Sequence, residues 1–461
     1  MIYNLAINWS GAGVQAAQLL LSLSLLVLLH EFGHYITARW FGCRVEKFYL
    51  FFDPWFSLFK KKIGDTEYGV GWLPLGGYVK ISGMIDESMD KEQLKQPPQP
   101  YEFRSKPAWQ RLIIMLGGVV MNVLVAFVVY AMILFVWGEK KTPLSSLKNG
   151  VAVTDSLMSE IGLRTGDKIL AVDGEPVPYF EDLAAKILIG SENIDIERDG
   201  QKMTIHVPVN LIGKLVESRR KKALMFMERV PAYVGEYNPK FNMDTLNGYK
   251  AGLRKMDLIT AIDSVPVQFY DEMSPVLQNK KNETVALSVL RNGQSMLLKA
   301  QVTEDGKIGI PFLTEEEYQQ LGAYTVEHKE YGFLEAFPAG VMMAGGKLKS
   351  YIDQFRMILN PKTEAYKGVG GFKAMGSIFP TYWSWEAFWN ITAFLSIILA
   401  FMNLLPIPAL DGGHVMFTLY EIVSGRKPNE KFLEYAQMVG MILLLGLMLY
   451  ANGNDWFGWG K

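Results

Sequence analysis

Residues 14–38 read VQAAQLLLSLSLLVLLHEFGHYITA. Apart from Gln15, Gln18, a few hydroxyls and the run His30-Glu31-Phe32-Gly33-His34, the stretch is apolar. About 20 apolar residues, at about 1.5 Å rise each, carry a helix across a bilayer, so this segment predicts a membrane-spanning helix. The interruption has the spacing His-Glu-x-x-His. On a helix, positions i and i+4 share one face, so His30 and His34 can bind one metal ion, with Glu31 close enough to touch a water at that ion. Ionisable groups at membrane depth are costly and mark functional sites. The chain holds only five histidines, which makes a chance match improbable. These residues point to metal-dependent hydrolysis in or near the plane of the bilayer.

Three more apolar segments follow, at about 110–137, 386–405 and 432–451, with Trp109, Trp137, Trp383, Trp385 and Trp389 near segment ends where interfacial aromatics belong. Basic residues cluster after the first span (Arg39, Arg44, Lys47, Lys60, Lys61, Lys62), before the second (Arg104, Lys106, Arg111) and between the third and fourth (Arg426, Lys427, Lys431). The positive-inside rule makes those loops cytoplasmic and puts both termini and the long stretch 138–382 on the other side. The metal site then lies just inside the cytoplasmic edge. The first span is too long for the apolar region of a cleaved leader. With 461 residues there is room for two to four domains. A net charge of -1 gives no electrostatic footprint for nucleic acid, and Cys43, the single cysteine, rules out an intramolecular disulfide.

Between the first two spans, residues 44–83 alternate like strands, with a hairpin signal at Gly64-Asp65 and an edge-strand pattern at 73–80 (LPLGGYVK). Residues 85–107, acidic and rich in proline, read as an exposed loop. The polar middle contains a repeat: GLRTGDKILAVDG at 162–174 is echoed by GLRKMDLITAIDS at 252–264. Each copy then reaches a hairpin turn, Arg198-Asp199-Gly200-Gln201 or Arg291-Asn292-Gly293-Gln294. Two tandem β-rich modules are expected. From Gly340 to Leu359 the apolar residues recur at helical spacing, predicting an amphipathic helix, ended by Pro361, on the outer membrane surface or over the second module.

Two histidines do not complete a catalytic zinc site, which keeps three protein ligands and one open position. The third span ends in NLLPIPALDGGH at 403–414. Pro406 and Pro408 break the helix there, and Asp411 in such a break can turn its carboxylate towards the first span. His414 is the alternative ligand, since zinc also binds imidazole readily. Glu31 is the expected general base, taking a proton from the attacking water and passing it to the leaving amine. The Asn403 amide is the best-placed donor for a tetrahedral intermediate.

With these motifs in this order, HEFGH at 30–34, LPLGGYVK at 73–80, SKPAWQRLIIMLGGVVMN at 105–122, the tandem modules and NLLPIPALDGGH at 403–414, the chain resembles the site-two protease family of intramembrane zinc metalloproteases over essentially its whole length. The resemblance implies a polytopic α-helical membrane protein: four transmembrane helices with a membrane-associated β element, plus two extracytoplasmic PDZ-like β-rich domains. The segments expected are 1–43 (first transmembrane helix), 44–108 (β element and loop), 109–138 (second helix), 139–215 and 216–310 (PDZ-like domains), 311–382 (amphipathic helix and linker) and 383–461 (third and fourth helices). It implies zinc held by His30, His34 and Asp411, with Glu31 catalytic. Asn403 would handle substrate, and Gly76, Gly77, Tyr78, Val79 and Lys80 would pair with an extended substrate. Gly117, Gly118 and Asn122 match a small-residue motif on the second span. The implied setting is the bacterial inner membrane, and the implied substrates are single-pass membrane proteins already trimmed on the outer side, such as anti-sigma factors and remnant signal peptides. The second module departs from the first at Met256 and Ser264, where the first has Gly166 and Gly174. This puts its turns, and ligand binding by it, in doubt, and favours a role for the modules as a size filter.

Overall fold

The computed structural model describes residues 9–84, 97–218, 224–237 and 246–459. The chain divides into two compact units. One is built from Glu139–Lys329 and Met357–Tyr366, and the other from the remainder.

The second of these is helical. Its helices are α1 (Trp9–Trp40), α2 (Ala108–Trp137), α3 (Phe333–Leu359), α4 (Phe372–Ile378), α5 (Trp385–Leu404), α6 (Asp411–Ser424) and α7 (Glu430–Phe457). Four of them, α1, α2, α5 and α7, are long and apolar enough to cross a membrane, with mean hydropathy between 1.7 and 2.8. Apolar helices in lipid gain little from burying more apolar surface, so they associate through small residues and buried hydroxyls. The unit follows that rule. A Cβ added to Gly33 of α1 would lie 2.2 Å from the Gly117 carbonyl oxygen of α2. Thr392 Oγ1 of α5 donates to Ser22 Oγ of α1 at 3.0 Å, and Ser396 Oγ donates to the Asn122 carbonyl of α2 at 2.7 Å. Gln15 and Gln18, the polar residues of the first span, donate to the carbonyls of Phe379 and Pro380 at 2.7 and 2.9 Å.

The amphipathic helix begins earlier than its pattern suggests, at Phe333, and is α3. Up to Arg356 it belongs to the helical unit. Gly340 lies against the Ala131 backbone of α2, and the Tyr351 ring meets Phe394 and Phe401 of α5 edge-on. Its small residues Ala336, Ala339 and Ala344 are buried, which lets the backbones approach. Pro361 opens a new turn beyond its end, as expected.

Strands β1 (Val45–Ile63) and β2 (Thr66–Ile81) turn at Gly64-Asp65, where the hairpin signal lies. Each strand bends and is used twice. Residues 57–63 pair with 66–71, 66–71 also pair with 47–50, and 45–50 pair with 77–81. The bends fall near Phe51 (φ +67°), Trp55 (φ +76°) and Gly76 (φ +149°). Residues 77–81 therefore form an edge run, as the pattern at 73–80 predicts. The loop expected at 85–107 is exposed only in part. Residues 85–96 lie outside the described residues, Pro97 to Tyr101 are exposed, and Glu102 and Phe103 are buried. Glu102 is satisfied there by Arg104 at 2.6 Å.

In the other unit the two sequence repeats fold alike. The first sheet has the order 175–176, 168–172, 193–198, 201–206, and the second 265–266, 258–262, 284–291, 294–301. Both are antiparallel, and both slip register at the same place, Ile169/Ala171 and Ile259/Ala261. A buried aspartate anchors each copy. Asp167, 1% exposed, takes two 2.7 Å bonds from the Arg198 guanidinium, and Asp257, 0% exposed, takes two from Arg291. The hairpin arginines of the repeat are thus explained. Met256 keeps the left-handed backbone of Gly166 (φ +66° and +96°), whereas Ser264 replaces Gly174 (φ +76°) without a positive φ. The second module therefore changes one of the two turns in doubt and retains the other.

The stretch 311–382, expected to be linker and amphipathic helix, begins inside this unit. Leu313, Tyr318, Ala323 and Tyr324 fill the first module's core, and 327–329 pair with 139–141. Nothing in the local pattern announces this, because the contacts span more than a hundred residues.

Breaking a buried ion pair from one side strands a charge, at about 3–5 kcal/mol. Arg198→Ala is expected to destabilise the first module by that amount, read as faster amide hydrogen exchange across 168–206. Asp167→Leu combined with Arg198→Met should recover most of the loss.

Candidate metal centre

His30 and His34 sit one turn apart on the buried face of α1. Asp411 is the first residue of α6. Their donor atoms converge: His30 Nε2 and His34 Nε2 are 3.3 Å apart, and Asp411 Oδ2 is 3.1 Å from the first and 3.2 Å from the second. Zinc holds nitrogen and oxygen ligands at about 2.0–2.1 Å, so two ligands of a tetrahedral ion stand about 3.3 Å apart. The triangle has that edge. Asp411 Oδ2 is also buried and, apart from the two imidazole nitrogens, meets no hydrogen-bond donor among the described residues, the condition of an oxygen built to meet a cation. The donor set and its spacing fit zinc with three protein ligands. Among the described residues the cluster of possible ligands is His30, His34 and Asp411, and His414 is outside it.

The loop that delivers Asp411 is shaped by its sequence. Pro406 and Pro408 lack amide donors, so α5 stops at Leu404. The chain then folds back tightly: a Cβ at Gly412 would lie 2.1 Å from the Leu405 carbonyl oxygen, and one at Gly413 2.7 Å from Pro408 Cα. Ala409 takes φ +82°, a conformation costing about 1–3 kcal/mol that persists only where surroundings enforce it. Further along α6, Glu421 accepts from Arg111 Nη2 of α2 at 2.5 Å, and both side chains are about one-eighth exposed. This pair ties α6 to α2.

The histidines are fixed from behind. His34 Nδ1 lies 2.8 Å from the Ile114 carbonyl of α2, leaving Nε2 for the metal side. Gly118 forms the floor: a Cβ there would lie 2.5 Å from both His30 Cε1 and His34 Nε2. Sequence reading marks Gly118 only as part of a small-residue motif. Its glycine pair inside an apolar helix, where glycine costs about 1 kcal/mol, is the signal that could have found it.

The other predicted site residues fall into two groups. Asn403, half-buried, places Nδ2 3.4 Å from His30 Nε2, at the metal side of the triangle. Glu31 lies close to the Val79 amide of the edge run, and Gly77 lets that run lie against α1, since a Cβ there would be 2.9 Å from Val27 and 3.6 Å from Glu31 Cγ. Gly76 supplies the bend. Tyr78 and Lys80 serve the sheet. Tyr78 stacks on Tyr49 and Phe52 and donates to Asp53 at 2.9 Å, and Lys80 pairs with Glu46 at 3.4 Å. Burial and the Asp53 carboxylate push the Tyr78 phenol well above its usual range, so it remains a donor.

The model of peptidase family M50 matches residues 18–447. Metalloprotease MmpA of Caulobacter vibrioides is 28% identical, over 96% of this chain and 95% of its own. The regulator of sigma E protease of Haemophilus influenzae is 27% identical, over 95% and 97%. A protein of Campylobacter jejuni named as a zinc metalloprotease is 27% identical, over 94% and 91%.

Gly118→Ala should push the imidazoles apart. Zinc measured by atomic emission is expected to fall well below one per chain, with helix content unchanged. Gly446→Ala, where an added Cβ meets nothing within 4 Å, should retain full zinc.

Proposed function

The chain belongs to peptidase family M50 and is a zinc metalloprotease, and on that premise we propose that it hydrolyses a peptide bond inside the membrane-spanning segment of a single-pass membrane protein. The observation that carries the reading is the convergence of His30 and His34, on a helix apolar enough to cross a membrane, with Asp411 at the start of α6, and with Glu31 one residue along from His30 and close to a sheet edge. His30, His34 and Asp411 would hold the zinc. When bound, zinc supplies a Lewis acid that activates water and polarises the scissile carbonyl. Glu31 takes the water's proton on its carboxylate and delivers it to the leaving nitrogen. Asn403 Nδ2 donates to the oxygen on which charge develops.

A transmembrane helix has every amide paired internally and offers no backbone to attack. It must unwind, and an open sheet edge stabilises the unwound form by backbone pairing. Residues 76–80 are the edge proposed for this task. The Val79 amide faces Glu31, and side chains alternate along a strand, so an added segment would lie beside the general base.

The substrate class proposed is an anti-sigma factor or a remnant signal peptide, already trimmed on the outer side. The name of the Haemophilus relative supports it. The setting proposed is the bacterial inner membrane, with basic residues near the span ends supporting a zinc site at the cytoplasmic face and the β-rich modules outside. Those modules, at 139–215 and 216–310, are proposed as PDZ-like domains that exclude substrates with bulky outer parts.

Glu31→Gln should abolish cleavage of a transmembrane reporter while zinc stays near one per chain. Cleavage at the wild-type rate would sink the assignment. The pairing of 139–141 with 327–329 shows where to remove the modules. Deleting 142–326 with a short linker should leave a trimmed substrate cleavable and make an untrimmed one cleavable too. An untrimmed substrate that stays resistant, while the trimmed one is cut, would dismiss the filter.

A further inference from the structure

We propose that Asn122 is a positioning residue for His30: its side-chain carbonyl accepts the Nδ1 proton of His30 and so presents the Nε2 lone pair to the zinc. The inference rests on the reading of His30, His34 and Asp411 as ligands. Asn122 lies on α2 and is 0% exposed. Its Nδ2 is 3.2 Å from His30 Nδ1, while its Oδ1 is buried with no partner among the described residues.

That arrangement serves neither residue once His30 is a ligand. His30 Nε2 points at His34 Nε2 and Asp411 Oδ2, so its lone pair belongs on that side. A neutral imidazole with its lone pair on Nε2 carries its proton on Nδ1. Two donors would then face each other at 3.2 Å, beside a carbonyl oxygen left dry. A half-turn of the amide about Cβ–Cγ removes the donor–donor contact: Oδ1 accepts from Nδ1–H, and the amide nitrogen takes the position the oxygen held. Amide oxygen and nitrogen are close in size, so the half-turn needs no repacking.

His34 supports the assignment by analogy. Its Nδ1 already has a carbonyl behind it, that of Ile114 on the same helix. Helix α2 would thus supply an acceptor for each imidazole, a main-chain carbonyl for His34 and a side-chain one for His30. The Asn122 turn is itself held, because Ser396 Oγ of α5 donates to the Asn122 main-chain carbonyl at 2.7 Å. An asparagine serving only to join helices would have its own oxygen bonded across the interface.

Acceptors behind metal-bound histidines typically contribute 10- to 100-fold in metal affinity. The test uses the full chain in detergent, with zinc affinity measured by chelator competition and the visible spectrum of the Co2+ form as a second readout. Asn122→Leu, similar in size and unable to accept, should bind zinc 10- to 100-fold more weakly. Asn122→Asp, an acceptor only, should bind at least as tightly as wild type and give an unchanged Co2+ band pattern. A packing role predicts the reverse order, with Leu tolerated and the buried carboxylate harmful. Zinc binding by Asn122→Leu within threefold of wild type overturns the proposal. So does an Asp variant tenfold weaker than wild type, which decides the matter even where the Leu variant does not fold. His34→Ala and Asp411→Ala separate the two levels: full zinc in those variants removes the ligand assignment itself, whereas zinc lost there but kept in Asn122→Leu removes only the role of Asn122.

Discussion

The carboxylate of Asp411 places an oxygen, with no other hydrogen-bond donor among the described residues, 3.1 and 3.2 Å from two imidazole nitrogens. Three electron-rich atoms in contact, in a setting of low dielectric, cost several kcal/mol unless a proton or a metal cation lies among them. Most of the helical unit can be understood as what holds that triangle. The break after Leu404, the left-handed Ala409 and the Gly412-Gly413 pair aim Asp411 inward. The ion pair of Arg111 with Glu421 keeps α6 beside α2.

The crossing of α1 and α2 serves the same end by a different force. Gly33 and Gly117 remove side chains from between the backbones, and Gly118 removes one from beneath the imidazoles. Close approach brings the Ile114 carbonyl to His34 and the Asn122 amide to His30. In an apolar medium such contacts cannot rest on the hydrophobic effect; dispersion between close-packed backbones and a few buried hydrogen bonds replace it. The small residues and the polar ones are therefore parts of a single device.

The bent hairpin adds the reactant side. Using each strand twice gives four runs and leaves 77–81 at an edge, where an open ladder would invite pairing with any extended chain. The edge lies against α1, with the Val79 amide on Glu31. On the function proposed, a protease acting on helices would need both an unwound substrate and a base at one place, and this contact would bring the two requirements together.

Much of this was legible in the chain itself. Apolar length marks the four spans, because the bilayer thickness imposes it. The His-Glu-x-x-His spacing marks the metal face of α1, because a helix repeats every 3.6 residues. The hairpin at Gly64-Asp65 and the two modules are marked by turn chemistry and by repetition. Helical period and proline breaks could bring Asp411 and His414 forward as candidate ligands, but choosing between them took the fold: only Asp411 joins the converging atoms. The same holds for Gly118 beneath the imidazoles, for Glu421 on Arg111, for Glu102 buried in a stretch that reads as exposed loop, and for Leu313 and Tyr318 in the core of a module over a hundred residues upstream. Local pattern records what each residue prefers beside its chain neighbours. Contacts between distant segments depend on how helices cross and where strands bend, and those are settled only when the whole chain packs.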